Sequence, residues 1–333
     1  MSKVFIIAEA GVNHNGSLEL ALKLCDVARN SNVDAVKFQT WKTESVLTKG
    51  VPMADYQIAN IKGKKSQFDM AKELELSYDD FVKIKNYCDK IGVKFLSTPD
   101  EIESLEFLLS IGVDIIKVGS GEINNIPYLR QIGAKKKAVI LSTGMSYLSD
   151  VENSFFNLMN SGAKSVALLH CTTNYPCPMD EVNLNAMLTL KNAFKTTVGY
   201  SDHTLGIEVP IAAVALGAEI IEKHFTLDKG MIGPDHVASL NPMELEKMVR
   251  SIRNIENAMG DGYKIPNKSE INISKVVHKV IVAKENIKKG ELFSAKNLTC
   301  KRSGSGISPA QWDSILGQFA PFDFKEDEPI RLI

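Results

Sequence analysis

Short, almost continuously apolar runs recur along the chain, each followed by a polar turn and then a longer stretch with helical spacing. The runs cover residues 4–8, 33–38, 93–96, 114–118, 138–141, 165–170, 196–200 and 218–223. Strands that are apolar throughout, rather than alternating, belong to a parallel sheet covered on both faces. Between them, residues 17–31, 78–91, 102–111, 150–161 and 206–216 read as helices, and 242–259 reads as a last one. Ser17 suits an N-cap with Glu19 in the first turn, and Gly260-Asp261-Gly262 is a stop. Eight strand–helix alternations predict an α/β fold, a (β/α)8 TIM barrel. A doubly wound open sheet is the competing arrangement, but Gly11 and Gly16 do not form the GxGxxG of its dinucleotide-binding versions.

One interval breaks the rhythm. The second run ends near Phe38 and the third starts only at Val93. The extra segment, 41–76, reads as a long loop with a short helix over the barrel mouth, and long loops in compact barrels usually carry function. After Gly262 the pattern changes again. Residues 1–262 are assigned to the barrel, 263–275 to a polar linker, and 276–333 to a small β-rich domain with β-like pieces at 280–283, 288–291, 298–301 and 304–306. A domain of that size needs docking or dimerisation to be stable.

Composition removes several function classes. Lys and Arg number 39 against 40 Asp and Glu, a net charge of −1, which lacks the basic excess of a nucleic-acid or anionic-membrane binder. With 44% hydrophobic and 24% charged residues the chain is not disordered, and no apolar run approaches a membrane span. The N-terminal run is too short for a signal-peptide core and is broken by Glu9. The five scattered cysteines form no CxxC pair and read as reduced thiols of a cytoplasmic protein, with Cys171 and Cys177 as bystanders.

In such a barrel, function gathers at the C-terminal ends of the strands. Those positions hold Glu9; Lys37; Ser97 and Thr98; Lys117, Ser120 and Glu122; Ser142 and Thr143; His170 and Thr172; Ser201, Asp202 and His203; and Glu222 with His224. Lys37 and Lys117 lie within apolar runs, and a buried ammonium needs an anion beside it. Together with Ser120, Ser142 and Ser201 they suit a phosphate-plus-carboxylate pocket. A structural salt bridge is the bland alternative for either lysine alone, and Schiff-base chemistry is a third. His203 and His224 end successive strands, so two imidazoles with oxygen ligands such as Glu9 or Asp235 suit a divalent transition metal. Arg302 lies in a glycine-rich stretch that allows close approach to a ligand, although a plain surface arginine fits as well.

These residues fall in motifs that, in this order, resemble the bacterial sialic acid synthases, including the legionaminic acid synthases: AEAGVNHNG at 8–16, VKFQT at 36–40, KVGSGE at 117–122, LSTGM at 141–145, YSDHT at 200–204, EKHFT at 222–226 and GPDH at 233–236. The resemblance implies a barrel followed by an antifreeze-like (SAF) domain, in a domain-swapped homodimer. It implies condensation of phosphoenolpyruvate with an N-acetylated mannosamine, assisted by a divalent ion, Mn2+ or alternatively Mg2+ or Co2+. Carried over motif by motif, Lys37, Lys117, Ser120, Ser142, Thr173 and Ser201 would hold phosphoenolpyruvate, and His203 and His224 the metal. Tyr175, Asp235 and Arg302, the last from the partner chain, would hold the sugar, while Glu9, Asp235 and Glu222 handle protons.

The chain departs from the family pattern at Thr173, where some members carry asparagine, at Asp100, where many carry phenylalanine, and at Ser303 in place of a proline. Asn174 is the other candidate to replace the family asparagine. Gly119 argues against the pseudaminic acid branch. The expected sugar is N-acetylmannosamine, giving N-acetylneuraminate and phosphate. The alternative is 2,4-diacetamido-2,4,6-trideoxymannose, giving N,N'-diacetyllegionaminate. A metal-dependent pyruvate aldolase and a non-catalytic glycan-binding protein are the more distant readings.

Overall fold

Eight parallel strands, β1 (Phe5–Gly11), β2 (Ala35–Thr40), β3 (Lys94–Pro99), β4 (Ile115–Val118), β5 (Ala138–Ser142), β6 (Ser165–His170), β7 (Val198–Asp202) and β8 (Ile220–His224), pair in the order β3-β2-β1-β8-β7-β6-β5-β4. β3 and β4, at the two ends of that ladder, lie side by side, so the sheet forms a near-closed barrel, as the strand–helix alternation predicts. The computed structural model describes residues 3–61 and 66–333.

Side chains alternate across a strand, so residues two apart share a face. Ile7, Ala35, Leu96, Ile140, Leu169 and Ile220 point inward and form a dry layer that fills the lower barrel. Two residues further along the same strands come Glu9, Lys37, Thr98, Ser142, Cys171 and Glu222, which line a cavity together. The alternate residues of these strands, including Ala8, Val36, Val139, Leu168 and Ile221, face outward and pack under the helices in the main core. β1 departs from regularity once: its register with β2 slips between Glu9 and Gly11, where Gly11 takes a φ of 50°. A Cβ on Gly11 would lie 3.2 Å from Glu9 Oε1, so the glycine leaves room for that carboxylate.

The helices begin where their caps dictate. Ser17 caps Leu18–Asn30, which turns Ala21, Leu24, Cys25 and Ala28 into the core. Asn241 accepts from Glu244 N at 2.9 Å and Glu244 accepts from Asn241 N at 2.9 Å, a reciprocal box that starts Pro242–Ala258. That last helix ties down the first strand. Glu256 accepts from Val4 N at 2.5 Å, and Arg253 donates to Val4 O at 2.8 Å while pairing with Asp34 at 2.6 Å.

Where one short helix was expected, the described residues of the segment after β2 hold three, Thr43–Val46, Asp55–Asn60 and Gln67–Leu74. Trp41, Met70 and Leu74 make a small core of their own with Val12, and Asn60 donates to Pro234 O at 2.7 Å.

The chain divides into two compact units, Met1–Asp261 and Gly262–Ile333. In the second, β9 (Lys279–Ala283) pairs antiparallel with β10 (Leu298–Arg302) over a core that includes Ile281, Phe293, Ile315 and Phe324. The stretch read as a polar linker runs into a helix, Lys268–Val277, started by Glu270 accepting from Asn267 N at 2.9 Å. Two strand expectations are corrected. Residues 288–291 are a turn rather than a strand, because Glu291 accepts from Lys288 N at 3.0 Å and Gly290 takes a φ of 89°. The glycines of 304–306 likewise form a bend. Among the described residues no helix is long and apolar enough to cross a membrane.

Gly199 faces inward at the level of the dry layer, where a Cβ would collide with the Ile220 carbonyl oxygen and lie 2.7 Å from Leu169 Cδ2. Gly199→Ala is expected to lower stability by about 1–3 kcal/mol through overpacking against backbone; an unchanged denaturation midpoint would count against this account of the lower barrel.

Candidate active site

Above the dry layer, a cavity of about 590 Å³ opens at the C-terminal ends of the strands. Its floor is ionic. Lys37 Nζ lies 2.8 Å from Glu9 Oε2 and 2.9 Å from Thr98 Oγ1, while Lys117 Nζ donates to Ser142 Oγ at 2.7 Å and Val118 O at 3.1 Å. Glu222 stands between the two ammonium groups, 4.0 Å from Lys37 and 3.7 Å from Lys117, and accepts from Ser201 Oγ at 2.9 Å. The lysines are therefore not free cations. Each has a carboxylate in range, so the salt-bridge and anion-pocket readings describe the same residues.

Burial sets the proton affinities. Glu9 is pushed up to about 7 by burial against the pull of Lys37, with Glu222 adding to the rise. Burial also works to raise Glu222, but Lys117 and Lys37 overcome it and hold it at about 2. Lys117 is lowered by burial and by repulsion from Lys37. For Lys37, burial acts downward, but Glu9 and Glu222 outweigh it and its proton is held more tightly than usual. Asp235, where burial has no compensating cation, rises to about 7.

The two predicted metal-binding histidines meet at the rim, ring centroids 5.6 Å apart. His203 Nδ1 lies 2.7 Å from the Thr172 carbonyl oxygen, so that nitrogen carries the proton and Nε2 offers a lone pair. His224 Nδ1 is buried without a hydrogen-bond partner, as are Glu222 Oε2 and Thr173 Oγ1. Burial keeps both imidazoles neutral, and the His203 ring and Lys37 further oppose a charge on His224. Neutral rings with free lone pairs fit a divalent ion. Among the described residues no cluster of three His, Cys, Asp or Glu side chains completes such a site, so other ligands would have to come from substrate and water. The Tyr175 ring sits tilted against that of His203, centroids 4.1 Å apart, and Asp235 Oδ2 lies 3.9 Å from His224 Nδ1.

The AEAGVNHNG and GPDH motifs act on each other. Asn13 Nδ2 donates to Phe225 O at 2.8 Å and Ser239 Oγ at 2.9 Å, and Ser239 donates to Asp235 O at 2.7 Å. Asn15 Nδ2 donates to Ile232 O at 3.0 Å, and its carbonyl lies 3.1 Å from His236 Nε2. His236 Nδ1 lies 2.7 Å from Thr226 Oγ1, so both ring nitrogens are engaged. This latch fixes the loop that presents Asp235, and explains His236 as a positioning residue.

Strand parity divides the strand-end candidates. Glu9, Lys37, Thr98, Lys117, Ser120, Ser142, Thr173, Tyr175, Ser201, His203, Glu222 and His224 line the cavity, and Asp235 lines the adjoining cleft. Their neighbours turn away. Ser97 is within 2.7 Å of Thr40 Oγ1, and His170 Nε2 lies 2.9 Å from Val182 O. Asp202 forms a buried ion pair with Lys223, which also donates to Thr204 O at 2.7 Å. Arg302 ends β10 in the second unit and is exposed. Cys171, set aside as a bystander, lines the cavity with Sγ 3.3 Å from Ser120 Oγ, but burial raises its thiol and leaves it a poor nucleophile. Gln39 and Tyr56 were not picked out from the sequence. Gln39 donates to Glu9 at 3.3 Å, and the Tyr56 ring lies tilted 5.1 Å from that of Tyr175; their signal was two residues past Lys37 on the same face, and the long insertion.

A barrel with buried lysines, carboxylates and neutral histidines at its strand ends defines an enzyme site rather than a binding module. Residues 24–264 match the NeuB family and residues 278–332 the SAF domain, and the chain belongs to the NeuB family of synthases. It is 50% identical over 333 residues to the N,N'-diacetyllegionaminic acid synthase of Campylobacter jejuni, covering 99% of this chain and 100% of that protein. It is 45% identical to the protein of the same name from Legionella pneumophila, over 94% of this chain and 89% of that one. Among solved structures it is similar to the N-acetylneuraminic acid synthetase of Leptospira borgpetersenii, at 35% identity and a TM-score of 0.73, covering 83% of this chain and 93% of that one.

Asn13→Ala removes two buried hydrogen bonds and leaves the Phe225 carbonyl and Ser239 hydroxyl without a donor. It is expected to cost about 1–3 kcal/mol and to speed amide exchange in residues 231–239. Unaltered exchange there would show that the loop is held by something else.

Proposed function

We propose that the protein condenses phosphoenolpyruvate with 2,4-diacetamido-2,4,6-trideoxymannose to give N,N'-diacetyllegionaminate and inorganic phosphate. The observation that carries the reaction class is the single inward layer that holds two buried lysines, a ring of hydroxyls and two carboxylates beneath a pair of neutral histidines. The two relatives at 50% and 45% identity bear the legionaminic name, against 35% for the neuraminic synthetase, and this favours the diacetamido sugar over N-acetylmannosamine.

Lys37 and Lys117 neutralise the carboxylate and phosphate of phosphoenolpyruvate, and Ser120, Ser142, Thr173 and Ser201 donate to their oxygens. The open-chain aldehyde lies beside the methylene carbon, held by Tyr175 and Asp235. His203 and His224 hold a divalent ion, Mn2+ by preference and Mg2+ or Co2+ otherwise, which supplies Lewis-acid polarisation of the aldehyde. The methylene carbon forms the new C–C bond with the aldehyde carbon, whose oxygen takes up a proton. Water adds to C2 and gives up a proton; the C2–O bond then breaks and phosphate leaves, producing the 2-keto acid. Glu9, Asp235 and Glu222 are the carboxylates in reach of those protons. No lysine nucleophile is required, which separates the reaction from a Schiff-base aldolase. Arg302, exposed beside Gly304 and Gly306, suits contact with the sugar of a partner chain in a domain-swapped homodimer. Five free cysteines support a cytoplasmic setting.

Phosphate release in the presence of phosphoenolpyruvate, Mn2+ and the diacetamido sugar, with mass spectrometry of the product, tests the reaction. Water oxygen is expected in the new keto group and the bridging oxygen in the phosphate. Turnover with pyruvate instead, or no phosphate, would sink the proposal. Chelation or His203→Ala is expected to abolish turnover with the fold retained. Lys117→Met is expected to weaken phosphoenolpyruvate binding about 10–100-fold, the worth of one charged hydrogen bond.

A further inference from the structure

One short helix of the insertion between β2 and β3 touches the site at two separate points. Asp55–Asn60 carries Tyr56 and Asn60, four positions apart and so on one face. The Tyr56 ring lies 5.1 Å from that of Tyr175, and Asn60 Nδ2 donates to Pro234 O at 2.7 Å. That carbonyl belongs to the peptide bond leading into Asp235. Tyr175 and Asp235 come from different loops, after β6 and after β8, yet line one cleft of about 760 Å³ beside the lysine cavity. The helix itself is fixed. Met53 before it and Ile61 after it pack on the core of Val12, Trp41, Met70 and Leu74, and Gln57 accepts from Ala54 N at 3.0 Å to close the first turn.

We infer that the insertion is an assembling element, in which Tyr56 and Asn60 are positioning residues that set Tyr175 and Asp235 at the spacing the sugar requires. This rests on the synthase reading above, in which those two residues hold the sugar. The latch from β1 grips Ile232 O, Asp235 O and His236, but Pro234 O is taken by Asn60. Tyr175 meets His203 and His224 on the barrel side, and Tyr56 supplies its ring contact from the insertion. Burial and the nearby Asp235 push the Tyr56 hydroxyl up, so it keeps its proton and the ring acts through contact. Without these contacts the sugar itself would have to order two loops on binding, which weakens affinity. Lys37, Lys117 and Ser142 lie on strands and do not depend on the helix.

The test is steady-state kinetics of the full-length protein with Mn2+, phosphoenolpyruvate and the diacetamido sugar, read by phosphate release. Tyr56 and Asn60 are half-buried, so variants there are expected to fold. Tyr56→Leu and Asn60→Asp are each expected to raise KM for the sugar about 10-fold, while KM for phosphoenolpyruvate holds. Tyr56→Phe, which keeps the ring, is expected to behave as the wild type. Hydrogen exchange needs no turnover: Asn60→Asp is expected to speed it at 233–236 and Tyr56→Leu at 173–177, with the lysine-bearing strands unchanged. Both KM values rising together, an unchanged sugar KM, or Tyr56→Phe as impaired as Tyr56→Leu would overturn the inference and leave the synthase reading standing. Unchanged exchange in those two segments would overturn it as well. No phosphate from the wild type, with this sugar or with N-acetylmannosamine, would overturn the synthase reading and the helix's role toward the sugar with it.

Discussion

An ammonium group inside a barrel is tolerable only beside an anion, and this barrel holds two at the same height. Lys37 and Lys117 share Glu222, and Lys37 has Glu9 as a close partner, so two cations and two carboxylates stand together over a hydrocarbon floor. Nearly every other feature of the site follows from that quartet. The hydroxyls of Thr98 and Ser142 accept from its two ammonium groups, and that of Ser201 donates to Glu222. The bulge at Gly11 makes space for its Glu9 corner. A trianionic substrate entering such a site does not meet bare positive charge; it competes with carboxylates for lysines already aligned, an exchange that needs little reorganisation.

The same chemistry appears a second time with the opposite purpose. Asp202 and Lys223 are fully buried partners, but each lies one residue from a cavity-lining side chain and so faces the helices. There the pair joins the ends of β7 and β8 from outside. Its worth lies in what a lone survivor would cost, since either charge left unpaired in that position is far more expensive than the pair is favourable. Adjacent residues in YSDHT and EKHFT thus divide between holding the barrel together and facing its ligand.

Much of this was legible in the sequence, because a lysine amid β-branched residues stands out and because strand–helix alternation has few architectures available to it. Strand parity was not. The strands are apolar on both faces, so nothing in the local pattern separates Ser201 from Asp202 or Glu222 from Lys223. Nor could the sequence show that Lys37 and Lys117 already have carboxylate partners, since Glu9 and Glu222 reach them only through barrel closure. The helix Lys268–Val277 was read as linker because its apolar residues stay exposed on the second unit and produce no core signal. The cleft beneath the insertion was invisible for a different reason: its wall combines Val12, Trp41, Met70 and Leu74, far apart in sequence and unremarkable one at a time.

The clasp between Val4 and the last barrel helix bears on how the molecule is made. β1 pairs with β8, and Val4, the residue just before it, is bonded to Glu256 and Arg253. At roughly 5–20 residues per second, the ribosome delivers those partners about 10–50 seconds after the strand that needs them. Throughout that interval the β8-facing edge of β1 lacks its partner, the kind of surface on which nascent chains associate. The first strand of the barrel is thus paired on its second side only once the last strand has been made.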